Sequence, residues 1–324
     1  MHNAEQARRS HDYSLAIDEL NQALLILNEK ENIDAEANRA DLNFQLGSVY
    51  IDQGSWPMAE TALLKCLHLS HGLVDSDFSA KALASLGQNA FKSGELNKAR
   101  TYLDEAVSLC IEKRDESILS FAHLWLGAVA AIKGEAERAE KELLRAVTVA
   151  HMAKDFSTEG RARNILGENA RLSGKHSEAI SHYQEALNIY QSIDQKFGMT
   201  MVIHNLGHVR TMMGDTESAL KHYDDSLKMA IEIQAIPAAL EILAALAGIA
   251  ANEDNHDHAL NLLGVVFAHP STPKEALHMF AEPLLVQLQN ELPDEEVKTG
   301  LARGRSLGFD KVVEFLLNKK ETRS

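Results

Sequence analysis

The sequence has 324 residues, 45% of them hydrophobic and 24% charged, with only 6 prolines. This composition is too apolar for a disordered chain and too poor in proline to interrupt long helices. The formal net charge of −15 argues against nucleic acid and against an anionic membrane surface as partners, because both are gripped by clustered Lys and Arg.

The first residues, Met1 to Arg9, lack the apolar core of a signal peptide. Ala16, Leu20 and Ala23 then follow the pattern of the second helix in a helix pair, whose first helix would begin at the extreme N-terminus. The chain is therefore expected to start inside a repeat array, as a fragment or a truncated relative of something longer. From there a Leu-Gly pair recurs at Gly47, Gly87, Gly127, Gly167 and Gly207, with Leu-Ala at Ala247, each 40 residues after the last. A second glycine follows at Gly54, Gly94, Gly134, Gly174 and Gly214, replaced in the sixth unit by Asp254. An alanine comes next at Ala59, Ala99, Ala139, Ala179, Ala219 and Ala259.

The spacing predicts first helices over 38–53, 77–93, 118–133, 157–173, 197–213 and 237–252, and second helices over 56–72, 96–113, 136–153, 176–193, 216–233 and 256–267. The first glycine of each unit lets its two helices approach, and the second supplies the left-handed residue that ends the first helix. Leu63, Leu103, Leu143, Tyr183, Tyr223 and Leu263 are assigned to the space between neighbouring units. Cys66 and Cys110 fall on apolar helix positions, as buried reduced thiols do. The apolar stretch Ala235 to Ala251 carries Glu241 and is shorter than the ~20 residues of a membrane span. It reads as a buried helix that something must cover.

After His269-Pro270-Ser271-Thr272-Pro273 the repeat marks stop. Three shorter amphipathic helices are expected, around Leu284 to Leu292, Val297 to Leu301 and Val312 to Leu316. The organisation is thus a repeat array over 1–268 and a helical capping segment over 269–324, with the cap as the cover for the apolar helix.

The small residues at fixed intervals resemble the tetratricopeptide pattern, over about residues 3 to 268. The tryptophan and the final proline common in that pattern are absent, and the period is longer than usual. The resemblance implies an all-α, right-handed superhelical α-solenoid of about seven helix pairs with first helices lining a concave groove. It places Phe44, Gln45, Gln88, Phe91, Phe121, Trp125, Asn164, Glu168, Arg171, His204, Asn205 and His208 in that groove. Phe121, Leu124 and Trp125 would form an apolar centre rimmed by amides and charges, as a peptide anchor site does, or pack between adjacent first helices. Asn164 and Asn205 could bind a peptide backbone, since an amide both donates and accepts. The lysine with which some relatives clamp a C-terminal carboxylate is missing.

Sequence motifs for catalysis are absent: there is no phosphate loop and no nucleophile elbow. His204 and His208 stand one helical turn apart, a spacing open to metal ligation, but groove-lining imidazoles are the plainer reading. No enzyme activity, metal or cofactor is expected. Leu262-Leu263-Gly264-Val265-Val266, the 269–273 segment and Leu301-Ala302-Arg303-Gly304-Arg305-Ser306-Leu307 resemble the ending of STAND-type signalling ATPases and of LuxR- and MalT-like transcriptional regulators. What this implies is their sensor half: a cytoplasmic bacterial module that binds a protein or peptide, or a second copy of itself, in signal transduction. A stand-alone receptor for a small signalling peptide and a passive assembly scaffold are the alternatives.

Overall fold

The computed structural model describes residues 2–9, 12–28, 33–71, 73 and 77–318, and all regular structure among them is helical. Two compact units divide the chain, Met1–Asn169 and Ala170–Ser324. The first contains α1 (His2–Arg9), α2 (Tyr13–Asn28), α3 (Ile33–Gln53), α4 (Trp56–Ser70), α5 (Phe78–Lys92), α6 (Leu96–Lys113), α7 (Glu116–Ile132) and α8 (Ala136–Ala153). Helix α9 (Phe156–Leu172) carries the chain into the second unit. There follow α10 (His176–Ser192), α11 (Lys196–Met212), α12 (Thr216–Glu232), α13 (Ile236–Asn252) and α14 (His256–Ala268). The pair α1–α2 confirms a unit ahead of the first Leu-Gly mark. Helix α3 begins five residues earlier than expected, at Ile33, with Asp34 and Glu36 favourably placed in its first turn.

From α3 onward the first helix of each pair is ended by a left-handed residue, with φ of +79° at Gly54, +86° at Gly94 and +73° at Gly134. The following amide then reaches back to the last turn, as Ser55 N does to Tyr50 O at 2.8 Å and Glu95 N to Ala90 O at 2.8 Å. This is the Schellman arrangement, which uses up carbonyls that would otherwise be orphaned. Asp254 holds the same conformation at φ +57° without being glycine.

The other glycine of each unit works by contact. A Cβ added at Gly47 would lie 2.5 Å from Leu63 Cγ, and at Gly127 it would lie 2.5 Å from Leu143 Cγ. At Gly207 it would meet the Tyr223 ring at 2.7 Å. Leu63, Leu143 and Tyr223 were assigned above to the space between units. Each does share a core with the next unit, as Leu63 does with Leu86 and Leu143 with Leu166, and each also seats directly over the glycine of its own unit, where the facing backbone is bare enough to receive it.

The tail comprises α15 (Lys274–Ala276), a π-helical turn (Leu277–Ala281), α16 (Glu282–Glu291) and α17 (Asp294–Asn318), which breaks at Gly308 (φ 76°, ψ 170°). Gly264 of α14 and Gly300 and Gly304 of α17 let these helices cross nearly backbone to backbone: a Cβ on Gly300 would fall 2.6 Å from that of Leu260. The glycines of the two tail segments that carried the resemblance above thus have a packing reason. Helix α13 is covered as expected, by α12 and α14 and by α15 and the π turn, and Ala281, Leu288, Val297, Val312 and Val313 join its core.

Candidate binding surfaces

In Met1–Asn169 the first helices α3, α5 and α7 and the part of α9 up to Asn169 supply Phe44, Gln45, Gln88, Phe91, Phe121, Asn164 and Glu168, all half-buried. Gln45 is held by Asp41, with Nε2 donating to Oδ2 at 2.6 Å. Phe91 and Phe121 flank Trp125, with ring centroids 5.1 and 6.0 Å away, and the Arg161 guanidinium stands 5.1 Å over the indole. Cation and indole attract through the ring quadrupole.

Trp125 is only 5% exposed, and Leu124 is fully buried. The exposed aromatic anchor is therefore corrected: Trp125 is a wedge between neighbouring first helices, roofed by Phe91 and Arg161. Helical periodicity placed it on the inner face, but the closeness of the adjacent helices decided that it is inside.

What this surface offers instead is Phe91, Phe121, Gln88, Arg161 and Lys92. Lys92 is exposed, yet its pKa is lowered, chiefly because surrounding protein strips water from the ammonium, with Arg161 adding to the effect and Asp52 opposing it.

In Ala170–Ser324 the predicted residues are Arg171, His204, Asn205 and His208. His204 is 5% exposed and lines no surface, which corrects its assignment to the groove. Burial, then His208 and Arg171, hold its pKa well below the usual imidazole range, so the ring is neutral. Its Nε2 has no hydrogen-bond partner among the described residues. The His208 ring lies 4.5 Å from His204, 5.7 Å from Tyr223 and, stacked at 22°, 5.2 Å from Phe280 of the π turn. The tail therefore lies over a position expected to face a ligand, while Asn205 stays half-buried. Arg171 Nη1 contacts Met212 Sδ at 3.4 Å.

No group of three or more His, Cys, Asp or Glu among the described residues could hold a metal ion. Cys66 and Cys110 are buried free thiols, and burial pushes the Cys66 pKa up to about 12, which keeps it protonated and unreactive. No helix is long and apolar enough to cross a membrane among the described residues.

Paired helices with a glycine-seated contact inside each pair and a left-handed closure after it define the tetratricopeptide class. Tetratricopeptide-repeat family models match residues 80–110 and 119–192. No curated protein matches the sequence. Among solved structures, the fold is similar to that of a Rap protein complexed with competence and sporulation factor (12% identity, 97% of each chain covered, TM-score 0.64). It is similar also to the apo form of RapI (14% identity, 80% of this chain and 92% of that one, TM-score 0.64). A third likeness is to a STAND protein with a tetratricopeptide repeat sensor from Pyrococcus horikoshii (17% identity, TM-score 0.55), where 90% of this chain spans 42% of the other. Residues 80–110 and 119–192 are thus tetratricopeptide repeats, and the fold that contains them is similar to that of these proteins.

Proposed function

We propose that this chain is a non-catalytic module that binds an extended segment of another protein on the inner face of Met1–Asn169. The observation that carries the reading is the cluster on that face: Phe91 and Phe121 packed on Trp125 under the Arg161 guanidinium, with exposed Lys92 following Phe91 in α5. Apolar rings with donors at their edge suit a peptide that carries both a hydrophobic side chain and a carboxylate. Gln88 and Asn164 add amides that can pair with its backbone.

The biological setting we infer is sensing or regulation in a bacterial signal-transduction system, such as control of a transcription regulator, with 269–324 capping the array. A second reading, a receptor for a small signalling peptide, is favoured by the likeness over nearly the whole length to the Rap protein complexed with competence and sporulation factor.

Parallel affinity capture from the source lysate, with wild-type protein and with Phe121→Ala/Lys92→Ala, tests the site. The reading requires that specific captured proteins or peptides be lost from the variant column. An identical captured set on both columns would show that the inner face is not the binding surface. Trp125 emission gives a second measure, since a ligand that engages Arg161 changes the environment of the indole.

A further inference from the structure

Two clefts of matching chemistry open on another face of Met1–Asn169, between successive second helices. The first, of about 680 Å³, is lined by Leu24 of α2, Arg39 and Asn43 of α3, and Leu64, Lys65 and His68 of α4. The second, of about 600 Å³, is lined by Val107 and Ile111 of α6, His123 of α7, and Lys141, Leu144 and Arg145 of α8. Both volumes lie in the range of small-ligand pockets.

The clefts are two repeats apart, and most of their lining positions correspond in the repeat register. Asn43 and His123 occupy the same place in the 40-residue register and form the polar floor; they are 7% exposed each. His123 is held there by Glu142, with Nδ1 2.7 Å from Oε2. The carboxyl group of Glu142 is kept below its usual pKa, first by this hydrogen bond, so it is an ionised acceptor that fixes the ring. Leu64-Lys65 and Leu144-Arg145 are likewise equivalent, an exposed leucine followed by a cation at the mouth.

The same register shows what the other grooves lack. Between α4 and α6 the floor residue is Leu83, and the mouth doublet is Asp104-Glu105; on α10 and α12 it becomes Gln184-Glu185 and Asp224-Asp225. The charged side chains that line the clefts are basic or histidine, in a chain whose net charge is −15; in the second cleft the buried Glu142 carboxylate beneath them accepts from Arg145 Nη1 at 3.1 Å, and Lys141 adds a further cation to the lining. An anion is repelled by the molecule as a whole and attracted at these mouths.

We propose that the two clefts are binding sites for small amphiphilic anions, in which the apolar body lies on Leu64 or Leu144 and the acidic head meets Lys65 or Arg145. The site is distinct from the inner face and does not depend on the function proposed above. Its capacity is two ligands per chain, one per cleft.

Isothermal titration of the full chain with decanoate, below its micelle concentration and at low salt, tests this. Two sites are expected, with one remaining in Lys65→Glu, one in Arg145→Glu, and none in the double variant, each lost site weakened at least tenfold. Leu64→Asp and Leu144→Asp, which copy the acidic mouth between α4 and α6, should act in the same way. All four positions are exposed, and thermal unfolding followed by circular dichroism separates lost binding from lost folding; because Arg145→Glu also sets a carboxylate against Glu142, Arg145→Gln is run beside it and should weaken the second site in the same direction. Decylammonium should bind at least tenfold more weakly than decanoate. The proposal is overturned by absence of decanoate binding, by a stoichiometry that neither charge reversal changes, or by equal affinity for the two amphiphiles.

Discussion

Replacing Gly127 by alanine tests whether glycine is required for the helix pairs to close. The new Cβ would lie 2.5 Å from Leu143 Cγ, 2.7 Å from Cδ2 and 3.3 Å from the Leu143 backbone nitrogen. Non-bonded carbons prefer about 3.5–4.0 Å, so α7 and α8 must separate by roughly 1 Å or Leu143 must leave its rotamer. Leu143 is fully buried and has nowhere to turn. Overpacking of this kind costs about 1–3 kcal/mol, and the better helix propensity of alanine returns about 1 kcal/mol of it. The expected net loss is up to ~2 kcal/mol.

Gly248, inside α13, provides the contrast, because a Cβ there meets nothing within 4 Å. Gly248→Ala should gain up to about 1 kcal/mol from propensity alone. Thermal and urea unfolding followed by far-ultraviolet circular dichroism should move in opposite directions for the two variants, by about 2–4 °C per kcal/mol. Adding Leu143→Ala to Gly127→Ala should cost less than the sum of the single changes, since the new methyl faces the vacated space. If Gly127→Ala is as stable as wild type, or the double variant is additive, the close-contact argument is wrong.

The remaining predictions concern particular positions. Asp254 adopts the conformation that glycine supplies in the earlier units, so Asp254→Gly should raise the unfolding midpoint by up to about 1 kcal/mol, and a fall would refute this. Glu241 has its pKa raised from 4.5 to about 7 by burial and by Glu275. The folded protein keeps that proton across a window in which the unfolded chain has released it, so stability should fall as pH rises from about 4.5 to 7. Glu241→Gln should remove this slope and stabilise the protein above the window by up to ~3 kcal/mol, as read from urea midpoints against pH. Phe280→Ala deletes the ring stacked on His208, and hydrogen exchange should quicken through the π turn and α16. Unchanged protection there would mean that the stack does not hold the tail.

The repeat itself could be read without coordinates because its requirements are local. A left-handed closure favours Gly54 or its equivalents whatever the surroundings, Asp254 being the departure, and a helix pair in close contact needs a bare backbone at Gly47 or Gly127. Those demands recur every 40 residues and leave a visible period. The candidate site was legible only as a helix face. Periodicity put Phe91, Phe121 and Trp125 on one side, but whether Trp125 points into solvent or into a neighbour depends on the distance between first helices, which no single repeat encodes. The stack of Phe280 on His208 joins residues far apart in the chain through a π turn that has no periodic signature. The outer clefts left a trace, the leucine–cation doublets at 64–65 and 144–145 set against acidic residues at 104–105. That trace acquired meaning only once packing had put an amide or an imidazole beneath each mouth, since a cavity belongs to the space between helices and to no helix alone.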